Sequence, residues 1–243
     1  MKWIPLLSLM VFSTVAKSQD TDSYYVFDKH WKPTEVNSAR YFLHIHQFND
    51  TCWQWDYYNY TGPLIKTERY KDKDGKIRHG YSRHYDVKGL LDSVSYYKYG
   101  KKNGNSYKYS GEKFHVMLKY VYRDDTLISV INPDTVKNEK VNHTDERESD
   151  YPGGVKAWTD YLNKNLIYPE RAQNERIQGD VLVMFTVDQN GLVEDPSIAR
   201  SVEYSLDDTS IKIIKDSGKW NPAHQDGKLI KSYKMQTIYF RFQ

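Results

Sequence analysis

Residues 179–193 read GDVLVMFTVDQNGLV and carry the clearest structural signal in the chain. The run from Val181 to Val187 is almost wholly apolar, and the turn Asp188-Gln-Asn-Gly191 separates it from a second apolar stretch. Asn-Gly between two apolar runs is the strongest short-range signal for a β-hairpin, because both residues tolerate the positive φ of a tight turn. Pro196 interrupts the second strand and predicts a bulge or an edge position there.

Helical patterns lie on both sides of this hairpin. Before it, after Pro152-Gly-Gly154, apolar residues recur at helical spacing and form one stripe: Val155, Trp158, Leu162 and Leu166. Tyr168-Pro169 ends this pattern and starts a short polar helix from Glu170 to Glu175. After the hairpin a second stripe runs up to Gly218, where we expect that helix to end: Leu206, Ser210, Ile213, Ile214 and Ser217.

The chain finishes with a strand pattern from Lys231 to Phe242. Alternation predicts that Ile238, Phe240 and Phe242 share the buried face of this strand. The outward face then consists of Tyr233, Met235, Thr237, Tyr239 and Arg241. Helix, hairpin, helix and strand together predict a compact α+β unit over residues 151–243.

Several motifs of this unit occur in a characteristic order. They are Tyr168-Pro169, Ile177-Gln-Gly179, Asp188-x-x-Gly191, Leu206-Asp207, Trp220-Asn-Pro222, Gly227-Lys228 and Tyr239-Phe-Arg-Phe242. In this order they resemble the TonB C-terminal domain family over about two fifths of the chain. The resemblance implies an antiparallel three-stranded sheet with helices on one face. We expect the motif residues to be structural, as turn, cap or packing residues: Tyr168, Pro169, Gly179, Gly191, Trp220 and Pro222.

The resemblance also implies a mode of binding. TonB-like domains capture a short extended peptide of an outer-membrane receptor beside their last strand, which here is the strand from Lys231 to Phe242. Unpaired N–H and C=O groups of such an edge supply affinity, and alternate side chains supply selectivity. The five outward residues are therefore the candidate peptide-binding residues. Tyr239 stands where the family usually has Pro, which gives this edge one more free N–H. The same edge could instead pair across a two-fold axis and form a homodimer.

A Tyr/Gly array occupies residues 57–131. Gly75, Gly89, Gly100 and Gly111 are separated by 14, 11 and 11 residues, and tyrosines precede each glycine. In a fifth unit Asp125 takes the place of Gly. This spacing predicts short strands joined by tight turns, that is, a β-meander of repeat hairpins that serves as a spacer or contact surface. The array resembles the MORN-like repeats of exported bacterial proteins, although plain hairpin chemistry would give the same spacing.

Three further segments have distinct compositions. Residues 1–18, MKWIPLLSLMVFSTVAKS, have the layout of a cleaved secretory signal peptide, which predicts export to the periplasm and a place in the cell envelope. Residues 19–56 form an N-terminal segment with a strand from Tyr41 to His46, on which His44 and His46 share a face. Residues 132–150, NPDTVKNEKVNHTDERESD, contain no aromatic residue and are predicted to be a linker.

Composition and missing motifs exclude several classes of function. The 35 basic and 32 acidic residues nearly cancel, so we expect no nucleic-acid partner. No nucleophile elbow, zinc-protease motif or P-loop occurs, so we predict no enzyme, no catalytic residue and no small-molecule cofactor. The His44/His46 pair lacks a third ligand at a recognised spacing, so we predict no metal site.

A periplasmic binding protein for a peptide of an outer-membrane receptor or another envelope protein is the function that these observations favour. One alternative is an energy-transducing TonB protein, which would need an uncleaved N-terminal anchor and a Pro-rich spacer, whereas the chain has only 8 Pro. Another is a glycan-binding envelope protein that uses exposed rings such as Trp31, Trp53 and Trp55.

Overall fold

The structure is a computed structural model that describes residues 22–111, 113–136 and 145–242. The predicted signal peptide, residues 1–18, and the middle of the predicted linker, residues 137–144, lie outside the described residues. Within the described part of the chain, no helix is long and apolar enough to cross a membrane.

The first part of the chain folds into one large antiparallel sheet. Its strands are β1 (Ser23–Phe27), β2 (Tyr41–Asn49), β3 (Cys52–Asn59), β4 (Leu64–Tyr70), β5 (Gly80–Tyr85), β6 (Leu91–Lys98), β7 (Lys101–Lys102), β8 (Gly104–Ser110), β9 (His115–Arg123) and β10 (Thr126–Ile131). The strands follow one another in chain order, except that β8 pairs directly with β6 and the two-residue β7 is a side branch on β6. This first sheet is therefore a meander, as the repeat spacing predicted.

The meander begins earlier than predicted. We expected it over residues 57–131, but β1, β2 and most of β3 lie in the N-terminal segment 19–56 and belong to the same sheet. The prediction relied on glycine turns, and the turn between β2 and β3 contains none. There the side chain of Asn49 accepts hydrogen bonds from the Thr51 backbone N (2.9 Å) and hydroxyl (3.0 Å). Asn can close a turn in this way without glycine.

The second part of the chain contains the three-stranded antiparallel sheet that the resemblance implied. Its strands are β11 (Gly179–Val187), β12 (Val193–Arg200) and β15 (Ser232–Phe240), in the order β12-β11-β15. The helices are α1 (Gly154–Asn165), α2 (Glu170–Asn174) and α3 (Tyr204–Lys215). A small hairpin of β13 (Ala223–Gln225) and β14 (Lys228–Ile230), which the sequence analysis did not predict, precedes β15.

One face of this second sheet packs on the helices. Val183 and Phe185 of β11, Ile238 of β15 and Ile214 of α3 are buried in a common core. Two predicted core residues lie elsewhere: Val155 is 84% exposed and Phe242 is 43% exposed. Val155 sits in the first turn of α1, ahead of the buried Trp158, and Phe242 follows the end of β15. The register shifts between β11 and β12 agree with the irregularity predicted at Pro196.

The two sheets share one hydrophobic core. Tyr85 of β5 donates a hydrogen bond from its hydroxyl to the Ile198 carbonyl on β12 (2.8 Å). The Leu64 backbone N donates to Ser201 Oγ (2.7 Å). Gly89 packs so closely that a Cβ there would lie 2.5 Å from the Ser201 carbonyl oxygen, and its own carbonyl accepts from the Ser201 N–H (2.9 Å). These contacts join the first sheet to β12 and to the residue that follows it, Ser201.

Candidate functional site

The last strand has one paired flank and one open flank. All nine residues of β15 pair with β11, from Ser232 opposite Val187 to Phe240 opposite Gly179, without a register shift. Among the described residues no strand pairs with the other flank of β15. Near its beginning, Ser232 donates a hydrogen bond to Ser149 Oγ (3.0 Å). Lys234 also pairs with Glu148 (3.4 Å). Beyond Lys234 the flank presents backbone donors and acceptors that a further strand could use.

The predicted peptide-binding residues alternate with the buried ones as the sequence pattern requires. Tyr233 is 81% exposed and Tyr239 is 62% exposed, Met235 is exposed and Thr237 is half-buried. Arg241 lies just beyond the strand, and its guanidinium forms an ion pair with Asp180 of β11. The first four residues therefore share one face of β15, while Arg241 is engaged at its end.

Phe242 does not follow this alternation. The strand ends at Phe240, and the ring of Phe242 stacks on Tyr168 with 5.0 Å between the centroids. The prediction that Phe242 lies on the buried face was wrong because the chain leaves the sheet two residues earlier.

A cleft of about 460 Å³ lies between this face of the second sheet and the first sheet. Tyr233 and Met235 of β15 and Met184 of β11 line one side of it. The opposite side carries four rings, which we call the aromatic wall: Tyr81, Tyr107, Tyr109 and Phe114. Burial raises the pKa of Tyr109 to about 12. The tyrosine hydroxyl therefore stays protonated at neutral pH and can donate hydrogen bonds.

The predicted structural residues occupy turns, caps and packing positions. Tyr168 donates from its hydroxyl to the Ile177 carbonyl (2.5 Å), and Pro169 is the N-cap of α2. Trp220 is buried, meets Phe185 edge to face at 5.1 Å, and donates from Nε1 to Ser217 Oγ (2.9 Å). The remaining three are Gly179 against Val202, Gly191 in the β11–β12 turn, and Pro222 directly before β13.

This geometry can be compared with known proteins. Residues 164–242 match the family model described as the Gram-negative bacterial TonB protein C-terminal. This range contains the second sheet, α2, α3 and the last two residues of α1. This match covers residues 164–242, about a third of the chain, and we call that stretch the TonB-like region. Over 77 residues the chain is 25% identical to Protein TonB of Pseudomonas aeruginosa, a stretch that is 32% of this chain and 22% of that protein. The chain thus spans about a fifth of the length of the curated relative it matches.

The region that matches the TonB C-terminal family model contains a buried carboxyl group, that of Asp207 in the motif Leu206-Asp207. Asp207 lies in the first turn of α3 and is almost wholly buried. Burial raises its pKa to about 8, although hydrogen bonds donated by Ser201 Oγ (2.5 Å) and the Val202 N–H (3.1 Å) oppose the rise. The carboxyl group is therefore protonated over much of the neutral range.

We expect Asp207 to make the protein less stable as the pH rises from about 4 to about 8. The pKa of Asp207 is higher in the folded state than the ordinary value of 3.8, so the folded state binds the proton more tightly. This contribution is complete below the unfolded pKa and is lost as the pH rises through the folded pKa. Relative to Asp207→Asn, the wild-type free energy of unfolding should fall by on the order of 2–5 kcal/mol over this range.

Urea unfolding of both proteins at several pH values measures this difference. Asp208→Asn is the matched control, because Asp208 forms a surface pair with Lys212 one turn along the helix (2.7 Å). A wild-type pH dependence that Asp207→Asn leaves unchanged would assign the slope to other groups.

Two clusters at the boundary between the sheets were not predicted in full from the sequence, which indicated only the His44/His46 pair. Asp195 on β12 contacts Arg69 and Arg83 of the first sheet. His44, His46 and Asp56 meet beside α3. Both clusters join residues from separate strands, so sequence spacing alone did not indicate Asp56 as a partner of the histidines or Asp195 as a partner of the arginines.

Proposed function

We propose that this protein binds an extended peptide of an outer-membrane receptor or another envelope protein by adding it as a fourth strand along β15. The observation that carries the proposal is the open flank of a strand whose other flank is paired at all nine residues. A visiting strand would use the backbone groups of this flank for affinity. The TonB C-terminal match supports the proposal, because the family resemblance implies capture of a receptor peptide at this strand.

The adjoining cleft offers selectivity. Side chains of an added strand alternate between the two faces of the sheet, so every second one would point toward the face that carries Tyr233 and Met235. That face borders the aromatic wall across the cleft. We therefore expect peptides with apolar or aromatic residues at every second position to bind best. This gives the repeat region the role of a contact surface.

We place this binding protein in the periplasm. Its proposed role is binding alone, which requires neither a catalytic residue nor a cofactor. The resemblance to TonB-like domains supports an envelope location. Energy transduction would require the N-terminus to remain as an anchor, and N-terminal sequencing of the exported protein tests this. The rings considered for glycan binding contact other side chains of the chain: Trp31 stacks on Tyr41 at 4.1 Å, and Lys73 lies over Trp53 at 5.1 Å.

A proline scan of β15 tests the proposal. Backbone N–H groups alternate between the two flanks of a strand, so proline removes either a ladder bond to β11 or a free donor on the open flank. The family usually has Pro at the position of Tyr239, which suggests that odd-numbered residues face the open flank. Met235→Pro and Thr237→Pro should therefore keep the fold and weaken peptide binding at least about tenfold, the equivalent of 1.4 kcal/mol.

Gln236→Pro is the matched control, which should instead break the pairing with Val183 and lower the melting temperature. Binding is measured by fluorescence anisotropy with synthetic extended peptides from outer-membrane receptors, and the fold by circular dichroism. Folded Met235→Pro and Thr237→Pro proteins that bind as tightly as the wild type would refute strand addition at this edge. A concentration-dependent dimer in the wild type that these variants abolish would assign the edge to self-association.

A further inference from the structure

Two histidines and two carboxylates meet at the mouth of a second cavity, between the first sheet and α3. His44 and His46 lie on β2, Asp56 on β3 and Asp22 directly before β1. His44 Nε2 lies 3.0 Å from Asp22 Oδ2, and His46 Nε2 lies 2.9 Å from Asp56 Oδ2. The ligand atoms of His44, His46 and Asp56 all lie within 4.8 Å of one another.

The sheet register explains why sequence spacing did not indicate this cluster. Alternation along β2 puts His44 and His46 on the same face, and their rings stack with 4.5 Å between the centroids. In the pairing of β2 with β3, Asp56 lies directly opposite His44. The third ligand therefore comes from the neighbouring strand, and the fourth from the chain before β1. The absence of a metal site was predicted because a third ligand was sought nearby in sequence.

Two of the distances in the cluster are close to those that a metal ion would impose, whereas other separations among His44, His46 and Asp56 extend to 4.8 Å and would have to shorten on binding. Bonds of about 2.0–2.1 Å to imidazole nitrogen and carboxylate oxygen place tetrahedral ligand atoms about 3.3 Å apart. The two imidazole–carboxylate pairs, at 3.0 and 2.9 Å, need only small movements to reach this separation. Two imidazole and two carboxylate ligands suit a first-row transition metal such as Zn²⁺ better than Mg²⁺ or Ca²⁺, which prefer oxygen ligands.

Neighbouring side chains hold the four groups in place. Gln54 Nε2 donates to both carboxylate oxygens of Asp56 (3.0 and 3.2 Å), and Gln54 Oε1 accepts from Arg69 Nε (2.9 Å). The Tyr24 ring stacks on His44 at 4.7 Å. Partners of this kind orient metal ligands and limit their motion.

The cavity behind the cluster also indicates a polar occupant. It measures about 210 Å³ and is lined by Thr67, Arg83 and Ser197, among others. Thr67 Oγ1, Arg83 Nε and Ser197 Oγ are buried and have no hydrogen-bond partner among the described residues. Buried polar groups are normally satisfied by protein atoms or ordered water. Water that completes the coordination of an ion at the mouth could supply such partners.

We propose that His44, His46, Asp56 and Asp22 bind one divalent transition-metal ion, with Zn²⁺ as the best match. The His46 and Asp22 side chains are 21% and 32% exposed, so an ion can reach the site from solvent. The ion would link β1, β2 and β3 beside Tyr204 and Lys215, which line the same cavity from α3. It would therefore stabilise the first sheet at the face that packs beside α3.

Zinc titration of the full chain tests this site. The protein, without a polyhistidine tag and after chelator treatment, is titrated with Zn²⁺ by calorimetry, and its melting temperature is followed. We expect one equivalent to bind, and the melting temperature to rise by about 5–10 °C at a free Zn²⁺ concentration a hundred times Kd. His46→Ala and Asp22→Asn should each weaken binding at least about tenfold, because each removes one ligand.

His115→Ala is the matched control. His115 forms another His–Asp pair, with Asp134 at 3.0 Å, but both side chains are more than half exposed. Its loss should leave the Zn²⁺ affinity unchanged. Equal weakening by His115→Ala would show non-specific surface binding and overturn the proposal. So would tighter binding of Ca²⁺ than of Zn²⁺, or wild-type affinity in a folded His46→Ala protein. Should His46→Ala fail to fold, Asp22→Asn decides, because Asp22 lies before β1, outside the hydrophobic core.

Discussion

Asp195→Asn should lower the free energy of unfolding by about 2–4 kcal/mol. The Asp195 carboxylate accepts hydrogen bonds from two arginines of the first sheet, Arg69 (2.6 Å) and Arg83 (3.2 Å). Both arginine side chains are 6% exposed, whereas Asp195 is 31% exposed. One carboxylate therefore compensates two buried positive charges across the boundary between the sheets.

The size of the effect follows from the charges that would remain. Burial, and then the neighbouring charge of Arg83, lower the pKa of Arg69. The two buried guanidinium groups therefore repel each other even in the wild-type protein. Removing one partner of a buried ion pair leaves an uncompensated charge, which typically costs about 3–5 kcal/mol. Water reaches Asp195, which screens part of the interaction and lowers the expected loss.

Equilibrium unfolding in urea measures this loss. Asparagine is a suitable replacement, because Asp195 has a φ of +48° and Asn tolerates the left-handed region. Asp180→Asn is the control, since it removes an ion pair with Arg241 that is more exposed, and should change stability by about 0.5 kcal/mol or less. If Asp195→Asn and Asp180→Asn lower the free energy of unfolding by the same small amount, Asp195 is not needed to compensate the charges of Arg69 and Arg83.

Elements whose signals are local could be predicted from the sequence. The hairpin of β11 and β12 follows from one apolar run and Asp188-Gln-Asn-Gly191, and the two long helices follow from their apolar stripes. The glycines that spaced the repeat region lie in turns, where Gly75 and Gly89, for example, have φ of +70° and +76°. These features depend on residues within one or two turns of each other, so a single sequence contains the information.

Contacts between distant residues could not be predicted in the same way. Asp195 is 126 residues from Arg69, and Asp22 is 22 residues from His44. Such pairs depend on how the two sheets pack and on strand register, which periodicity does not specify. The cleft beside Tyr233 has the same origin, because its aromatic wall belongs to the other sheet. The last strand could be predicted from the sequence, and it is an edge strand of the second sheet, but the surroundings of that edge could not be predicted.

Gly191→Ala should destabilise the protein by about 3–5 kcal/mol. Gly191 has a φ of +80°, and a Cβ at this position would lie 2.2 Å from the Trp220 carbonyl oxygen. The left-handed backbone alone costs a residue with a Cβ about 1–2 kcal/mol, and relief of the close contact requires the Trp220 backbone to move. That movement is costly because the Gly191 carbonyl accepts from the Trp220 N–H (2.9 Å), and the Trp220 ring is buried against Phe185.

Gly218→Ala separates the two causes. Gly218 has nearly the same φ, +78°, but among the described residues no atom outside its chain neighbours lies within 4 Å of a Cβ there. It should therefore lose only the backbone contribution of about 1–2 kcal/mol. Thermal and urea unfolding of the two variants give the difference, which we expect to exceed about 1 kcal/mol. Equal losses would mean that the β11–β12 turn can move away from Trp220 at no cost. In that case the Asp-x-x-Gly motif would serve only the local turn and would not fix the hairpin against the core.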